Sequence, residues 1–303
     1  MKSYYRVLLG PKSKYAEECF SNGFIGIDFG IDQDLTNKLP EEWRAFNKDF
    51  IPIYLEAYPN KTKIAAGLAC GAVHTLCRGI KNGDIVLCPD KAGRFHVGEV
   101  IGDYVYKPGN ILPHRRSVKW LNVTIDQSDM SEALRKSAES FAAVANYTQH
   151  ATEIENLIGG IVIHPGEPVE EPLEFVLEEH LEDFLAKNWA RTELGKEYDV
   201  YEEDGQKGQQ YPTDTGPLDI LAVSKDKKKL LVVELKKGRA SDVVVGQTLR
   251  YMSYVQDVLA EKGQTVHGII IALKDDQRIR RALAMVSNIQ FYRYEINFKL
   301  VKG

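Results

Sequence analysis

Two acidic residues and a lysine near the centre of the C-terminal half form a pattern suited to metal-assisted phosphate chemistry. Asp219 precedes the run Glu234-Leu235-Lys236. Magnesium prefers oxygen ligands and usually binds through one or two carboxylates, waters and a substrate phosphate. We expect Asp219, Glu234 and the backbone carbonyl of Leu235 to supply the protein ligands. Lys236 would stabilise negative charge on the phosphate, or help orient and deprotonate the attacking water.

Two neighbouring strands must position these groups. Residues 218–224 and 230–235 are rich in apolar side chains and flank a short polar run, a pattern typical of strands joined by a tight connection. Side chains alternate between the two faces of a strand, so Glu234 and Lys236 project to the same side. The sequence therefore predicts a carboxylate and an ammonium group side by side.

A helix follows the second strand and is predicted to reach about residue 262. Either Ser241 or Asp242 can cap its N-terminus. Gln247, Arg250 and Tyr251 share one face of it, because residues three and four apart are neighbours on a helix. We expect that face to look toward the metal site.

At these residues the chain resembles the PD-(D/E)XK nuclease superfamily, in which an aspartate and a later (D/E)-x-K bind a divalent metal. The Gly-Pro-Leu-Asp segment, the Val-Val-Glu-Leu-Lys strand and the Gln-x-x-x-Tyr helix are most similar to the NucS and Mrr-type branch. The resemblance covers about residues 171–303 and implies a mixed sheet flanked by helices. It implies Mg²⁺, with Mn²⁺ possible, and catalytic roles for the residues Asp219, Glu234, Lys236, Gln247 and Tyr251. An ordinary charged hairpin is the alternative.

The same resemblance implies a further carboxylate on the first helix of this domain. Residues 173–188 have the apolar stripe of an amphipathic helix. The family pattern of a metal-facing glutamate three residues before a leucine maps to Glu178, with Glu179 as the neighbouring choice and a solvated carboxylate as the alternative. Gln210, Tyr211 and Asp214 arrive just before Asp219 and are placed to line the site.

The first 125 residues read as a small barrel with helical insertions. Short strand patterns are separated by glycine-rich and proline-rich connections, at residues 4–9, 24–29, 85–88, 94–101 and 117–123. Residues 83–86, 97–104 and 114–121 resemble PUA-like barrels, specifically the EVE-like modules fused to nucleases in modification-dependent restriction systems. The resemblance implies a pocket for a flipped, modified base. Its aromatic candidates, for which core packing is the alternative, are Phe24, Phe29, Trp43, Tyr104 and Trp120.

Arginine side chains in both halves are candidates for nucleic-acid contact. Arg115 and Arg116 follow a proline at the start of a strand, where guanidinium groups would grip phosphates, and a solvated turn is the alternative. In the second half we expect a phosphate-tracking surface, drawn from Arg239 and Arg250 with Lys227, Lys228, Lys229, Lys237, Arg278, Arg280 and Arg281.

The predicted organisation is a domain at residues 1–125, a helical segment and linker at 126–170, and a nuclease domain at 171–303. Residues 128–158 show helical periodicity, and residues 161–172 hold three prolines, typical of a semi-rigid spacer. The fold class is therefore α+β for the first domain and α/β for the last.

Composition limits the class of protein. The formal net charge of the 303 residues is −4, so any nucleic-acid binding must use local basic patches. The N-terminus has too short an apolar run for a secretory signal, and no stretch suits a membrane span, so we expect a soluble cytoplasmic protein. Cys70, His74 and Cys77 fall at helical spacing, for which packing is favoured over zinc binding.

Three functions are consistent with these patterns. The first is a metal-dependent DNA endonuclease that hydrolyses phosphodiester bonds in modified duplex DNA, with base recognition by the N-terminal domain. The second is a NucS-like repair endonuclease acting on mismatched, branched or single-stranded DNA. The third is a catalytically inactive nucleic-acid-binding regulator, which the intact set of candidate residues disfavours. Double-strand cleavage by one site per chain suggests a homodimer.

Overall fold

The computed structural model describes residues 2–138, 142–159, 181–275 and 277–294, except for the side chains of Lys237 and Arg239. Packing divides the chain into two compact units, Met1–Glu167 and Pro168–Gly303. In the described residues, no helix is long and apolar enough to cross a membrane.

The N-terminal unit combines a six-stranded sheet with five helices in its described part. The strands are β1 (Tyr4–Val7), β2 (Phe24–Ile27), β3 (Ile85–Pro89), β4 (Phe95–Tyr106), β5 (His114–Ile125) and β6 (Val144–Asn146). The helices are α1 (Ala16–Asn22), α2 (Trp43–Ala57), α3 (Lys63–His74), α4 (Glu132–Ala138) and α5 (Ala151–Ile158).

The strand order of this sheet is β2-β5-β4-β3-β1-β6, antiparallel except for the parallel pair β1 and β3. The ladder between β4 and β5 shifts register twice, between His96 and Gly98 and between Val100 and Tyr104. Such bulges bend and twist long strands. Among the described residues no ladder joins β2 to β6, so a closed PUA-like barrel is not shown.

The expected helix over residues 128–158 is wrong as a single element. The segment contains α4, then β6, then α5, and β6 pairs with β1 at the N-terminus. Leu134, Tyr147 and Ile154 are fully or almost fully buried in the same core as Tyr4. This segment therefore belongs to the N-terminal unit and is not a helical linker. Helical periodicity failed here because the hydrogen-bond partner of β6 lies about 140 residues earlier in the chain.

The described part of the C-terminal unit has a second mixed sheet. Its strands are β7 (Tyr198–Val200), β10 (Gln209–Thr213), β11 (Gly216–Ser224), β12 (Lys229–Arg239), β13 (Thr265–Lys274) and β14 (Ile289–Arg293). A separate two-stranded ribbon is formed by β8 (Glu202–Glu203) and β9 (Gln206–Lys207). The helices are α6 (residues 181–188 in its described part), α7 (Asp242–Tyr254) and α8 (Gln277–Leu283).

The order of this sheet is β10-β11-β12-β13-β14, with β7 on β11. The strands β10, β11 and β12 are antiparallel, whereas β12, β13 and β14 are parallel and are linked through α7 and α8. One face packs against the described residues of α6, including Leu181 and Leu185. On the other face, α7 approaches so closely that a Cβ on Gly268 would lie 2.6 Å from Met252 Sδ. The mixed sheet flanked by helices that the sequence predicted is confirmed for this unit.

One predicted boundary in this unit needs correction. The helix expected to reach about residue 262 changes after Tyr254 into a π-helical turn, Val255–Leu259.

Candidate active site

The antiparallel pair β11 and β12 brings the predicted acidic residues together. The ladder pairs Ile220 with Val233, and Asp219 and Glu234 are the next residue of each strand. The backbone N–H of Leu235 donates to Asp219 Oδ2 at 2.7 Å. The aspartate therefore crosses to the neighbouring strand and is held beside the Glu-x-Lys segment.

Glu234 and Lys236 form an ion pair on one face of β12, as strand alternation predicts. Lys236 Nζ lies 2.8 Å from Glu234 Oε1. The glutamate side chain is 1% exposed, whereas the lysine side chain is 32% exposed. The carboxylate is thus buried while the ammonium group stays within reach of solvent.

Helix α7 covers the same face and places Gln247 and Tyr251 near the pair. Gln247 Nε2 donates to the Tyr251 hydroxyl at 3.2 Å. Tyr251 is buried, and burial, together with the charges of Glu234 and Asp219, raises the pKa of its hydroxyl. A Cβ added to Gly216 at the start of β11 would lie 3.5 Å from that hydroxyl. Tyr251 is therefore packed against the strand that carries Asp219.

A third carboxylate, that of Glu182 on α6, lies beside Asp219. The side-chain amide of Gln210 donates to Glu182 Oε2 at 2.6 Å and to Asp219 Oδ1 at 3.3 Å. Desolvation and then the negative charge of Asp219 raise the pKa of Glu182 to about 8. The two neighbouring carboxylates thus repel each other when both are ionised, and a bound cation would offset this repulsion.

Sequence reasoning missed Glu182, although a signal was present. Glu182 stands three residues before Leu185, the same spacing that selected Glu178 before Leu181 one helical turn earlier. Glu178 and Glu179 lie outside the described residues.

The oxygen-rich donors of this region fit a hard divalent cation. They are the carboxylates of Glu182, Asp219 and Glu234 and the backbone carbonyl of Leu235, and all of these atoms are of the kind that Mg²⁺ and Mn²⁺ accept. In the described part of the chain, no three His, Cys, Asp or Glu side chains are grouped closely enough to hold a metal by themselves. Magnesium commonly keeps several waters and takes further oxygens from substrate phosphate.

Arg115 and Arg116, which the sequence predicts as phosphate contacts, make structural contacts within the N-terminal unit, and the phosphate contacts stay a prediction. Arg116 is 4% exposed and donates to the carbonyls of Ile80 and Gly102. Arg115 donates to two backbone carbonyls of the preceding turn and lies 3.9 Å above the ring of Phe24. Both guanidinium groups are thus held by backbone carbonyls of the N-terminal unit.

Most aromatic candidates for a base pocket also have structural contacts. The Tyr104 hydroxyl bonds the buried His114 ring at 2.9 Å, and the Trp120 indole donates to Cys19 O at 3.1 Å. The Trp43 indole donates to Asn47 at 3.0 Å, and Phe24 lies beneath Arg115. Phe29 is half-buried. These contacts favour the packing alternative for four of the five side chains.

Basic residues collect where the parallel strands of the C-terminal sheet end. In the ladders Arg239 pairs with Lys274, and Ala272 pairs with Arg293, so β12, β13 and β14 end at one edge. We call this edge, with the start of α8, the basic edge; its exposed side chains are Lys274, Arg278, Arg280, Arg281 and Arg293. Arg280 is paired with Asp275.

The other basic candidates, Arg250 and the lysine run at residues 227–229, lie outside the basic edge. Arg250 is exposed on α7. Lys227, Lys228 and Lys229 lie at the opposite end of β12, five or more residues before Glu234, which is about 17 Å along a strand. The lysine run is therefore not part of a surface around Glu234.

Comparisons with known protein families match the two units separately. Residues 178–299 match the family described as the endonuclease NucS C-terminal domain, and residues 5–144 match a domain of unknown function (DUF8426). No curated protein matches the sequence. The C-terminal unit is thus similar to a nuclease domain of the NucS type.

Solved structures that match include an EndoMS–dsDNA complex, with 14% identity, TM-score 0.34, and coverage of 68% of this chain and 62% of that chain. Another is a repair endonuclease from Pyrococcus abyssi, with 16% identity, TM-score 0.30, and coverage of 67% and 62%. EndoMS in apo form matches with 20% identity, TM-score 0.28, and coverage of 39% and 45%. The chain thus spans less than two thirds of the length of these proteins.

Proposed function

We propose that the protein is a metal-dependent DNA endonuclease of the NucS type. The observation that carries the proposal is the meeting of Asp219, Glu234 and Lys236 on the paired strands β11 and β12. They are held by the hydrogen bond from Leu235 N to Asp219 and by the Lys236–Glu234 ion pair. The match of residues 178–299 to the NucS C-terminal domain supports the same reading.

Asp219, Glu234 and the carbonyl of Leu235 would hold Mg²⁺ or Mn²⁺, with Glu182 beside them. A divalent cation in such a site polarises the phosphate and lowers the pKa of a bound water. Glu182 takes the role that the sequence assigned to Glu178.

The protein side chains around the carboxylates have separate tasks. Lys236 is partly exposed to solvent although its partner Glu234 is buried. Its ammonium group can therefore contact a phosphate and stabilise the charge that develops during hydrolysis. Tyr251 and Gln247 form a hydrogen-bonded unit over the start of β11 and limit the positions open to Lys236 and the scissile phosphate.

DNA is the partner that this site and the basic edge favour. The protein is acidic overall, yet the basic edge exposes five cationic side chains at the end of the sheet where Lys236 lies. Phosphates would be bound there without regard to sequence, because contacts to phosphate oxygens carry no direct base information.

The substrate class we propose is irregular DNA, namely mismatched, branched or single-stranded, as in the NucS-like reading. The family match supports this reading over modification-dependent restriction, because it is to a NucS domain. Recognition of modified bases by an EVE-like N-terminal unit stays a prediction. A homodimer would place two sites on one duplex and account for double-strand cleavage.

Removal of one metal-binding carboxylate tests the site. In Glu234→Gln we expect cleavage to fall at least about 10²-fold, because the site loses one of the negative charges that bind the cation, while DNA binding stays within a few-fold. Glu202→Gln, an exposed carboxylate in β8, is the matched control and should cleave normally. Cleavage by Glu234→Gln at the wild-type rate would rule out this active site.

A substrate panel tests the choice of DNA. Mismatched, branched, single-stranded, cytosine-modified and plain duplexes of one sequence should be incubated with Mg²⁺, Mn²⁺ or EDTA. We expect cutting of one or more irregular substrates, none in EDTA, and little cutting of plain duplex. Metal-dependent cutting confined to modified duplex would replace this proposal with the restriction reading.

A further inference from the structure

Gln210 lies between the carboxylates of Glu182 and Asp219. It is not part of any of the family motifs described above. Its amide nitrogen donates to Glu182 on α6 and to Asp219 on β11, at 2.6 and 3.3 Å. One NH₂ group therefore joins a helix to a strand of the candidate metal site. A donor between the oxygens of two neighbouring carboxylates stabilises them when no cation is bound, because it offsets part of the repulsion between like charges.

The backbone of Gln210 is in a conformation that glutamine rarely adopts. Its φ is +46°, in the left-handed region, although Gln209 and Tyr211 on either side pair regularly with β11. Left-handed backbone in a non-glycine residue is strained, and such strain persists where the surroundings enforce it, often at functional sites. In Gln210 this conformation sets the direction in which the side chain leaves the strand.

The amide group of Gln210 can interact with the site both with and without a bound cation. Its NH₂ end donates to carboxylates, and its carbonyl oxygen is a hard ligand of the kind that Mg²⁺ and related cations accept. The last side-chain torsion of glutamine is broad and roughly two-fold, so the two ends can exchange without moving the backbone. Gln210 is exposed, which leaves room for that rotation.

We propose that Gln210 is a member of the metal site that changes roles with occupancy. Without a cation its NH₂ group holds Glu182 and Asp219 together; with a cation it turns and contributes its carbonyl oxygen. This inference rests on the proposed function, since it uses the divalent cation expected there. It adds a neutral oxygen donor to the carboxylates that the sequence motif provides.

Three substitutions in the full-length protein separate the two roles. Gln210→Leu removes donor and acceptor, Gln210→Glu keeps an oxygen but removes the donor, and Gln210→Asn keeps the amide on a side chain one methylene shorter. Asparagine also tolerates left-handed backbone better than glutamine. Gln256→Leu, at an exposed glutamine after α7, is the matched control.

Thermal unfolding in EDTA and calorimetric titration with Mn²⁺ are the measurements. In EDTA we expect Gln210→Leu and Gln210→Glu to melt below wild type because the donor is removed, and Gln210→Asn to melt below wild type because its shorter amide cannot reach both carboxylates. We expect Mn²⁺ to bind about tenfold more weakly to Gln210→Leu and Gln210→Asn, and at least as tightly as wild type to Gln210→Glu. Gln256→Leu should match wild type in both measurements.

Two failures have different meanings. Wild-type Mn²⁺ affinity in Gln210→Leu, or an Asn variant more stable than wild type in EDTA, would overturn the assignment of Gln210 and leave the nuclease proposal standing. Absence of Mn²⁺ binding to the wild-type protein, with and without DNA, would overturn the proposed function and the exchange of roles with it.

Discussion

The ion pair between Lys236 and Glu234 joins a buried carboxylate to a lysine that reaches solvent. Burying a charge is unfavourable unless opposite charge and hydrogen bonds compensate it, and such pairs are weak contributors to stability. The placement of a buried glutamate in the middle of β12, directly after four apolar residues, is therefore better explained by chemistry than by folding.

Lys236→Met tests this explanation. We expect single-turnover cleavage to fall about 10²- to 10³-fold, the usual effect of removing a group that stabilises transition-state charge. In metal-free buffer we also expect a loss of about 1–3 kcal/mol in the free energy of unfolding, because Glu234 loses a compensating partner. Lys262→Met, at an exposed lysine, should change neither quantity. Cleavage within a few-fold of wild type would exclude a catalytic role for Lys236.

Arg116 shows that an arginine after a proline can be a structural residue. Its guanidinium group donates to the carbonyls of Ile80 and Gly102 and lies 3.8 Å from Asp103. Burial lowers the pKa of this arginine, which is the effect expected when a charge is removed from water. It connects β5 with the end of a helix and with β4.

Arg116→Met is therefore predicted to affect folding and not DNA affinity. We expect the unfolding free energy to fall by about 2–4 kcal/mol, because a buried and a partly buried carbonyl lose their donor. Fluorescence anisotropy below the melting temperature should give the same DNA affinity and salt dependence as wild type. A weaker salt dependence with unchanged stability would restore the phosphate-contact prediction.

At the scale of elements, the sheet of the C-terminal unit combines an antiparallel strand pair that holds the carboxylates with parallel strands that end in basic residues. The antiparallel pair β11 and β12 sets Asp219 beside Glu234 within the sheet, and the parallel strands β13 and β14 end in cationic residues a few residues beyond that level. Parallel strands have their carboxyl ends together, so basic residues distant in sequence become neighbours.

The basic edge predicts a measurable salt dependence. We expect Arg278→Ala with Arg281→Ala to weaken DNA binding and to reduce the slope of log affinity against log salt by about 1 for each phosphate that the variant no longer neutralises. Cleavage at saturating DNA should stay near wild type, because neither residue adjoins the carboxylates. Lys227→Ala with Lys228→Ala, at the far end of β12, is the control. An unchanged slope of log affinity against log salt in the arginine variant would exclude the basic edge as a DNA-binding surface.

At the scale of the whole molecule, the described parts of the two units have separate cores and match separate families.

The N-terminal unit buries His114 completely, with its ring hydrogen-bonded to Ile31 O and to Tyr104. Burial lowers the pKa of His114, although the Ile31 carbonyl and the nearby acidic residues Asp28, Asp32 and Asp34 oppose this shift. The folded protein therefore holds this histidine neutral at pH values where the unfolded chain would protonate it.

This difference predicts acid sensitivity. The folded pKa lies below the unfolded value of about 6.5, so the unfolded chain binds more protons below that pH. The contribution of His114 is complete above about pH 6.5 and is lost as pH falls, by at most about 1.4 kcal/mol per pH unit. Scanning calorimetry of the whole protein from pH 8 to 5 should show a shallower decline in His114→Gln. Parallel declines in both proteins would exclude His114 as the source.

Local sequence was sufficient for some elements because their signals are short-range. The apolar runs on either side of the lysine turn predicted β11 and β12, and alternation predicted that Glu234 and Lys236 share a face. Helical spacing likewise predicted that Gln247 and Tyr251 are neighbours, and their side chains are 3.2 Å apart. The family match agrees with the motif-based prediction of a NucS-like nuclease domain.

Tertiary structure decided what depends on partners distant in the chain. The Arg116 guanidinium group is buried because the fold brings the carbonyls of Ile80 and Gly102 to it, and β6 forms only because it pairs with β1. Glu182 and Gln210 meet Asp219 because α6 and β10 pack and pair around β11. The sequence by itself therefore determined the carboxylates and lysine of the motif, whereas the fold selected the remaining neighbours, since hydrogen bonds and burial between distant segments leave no local periodicity.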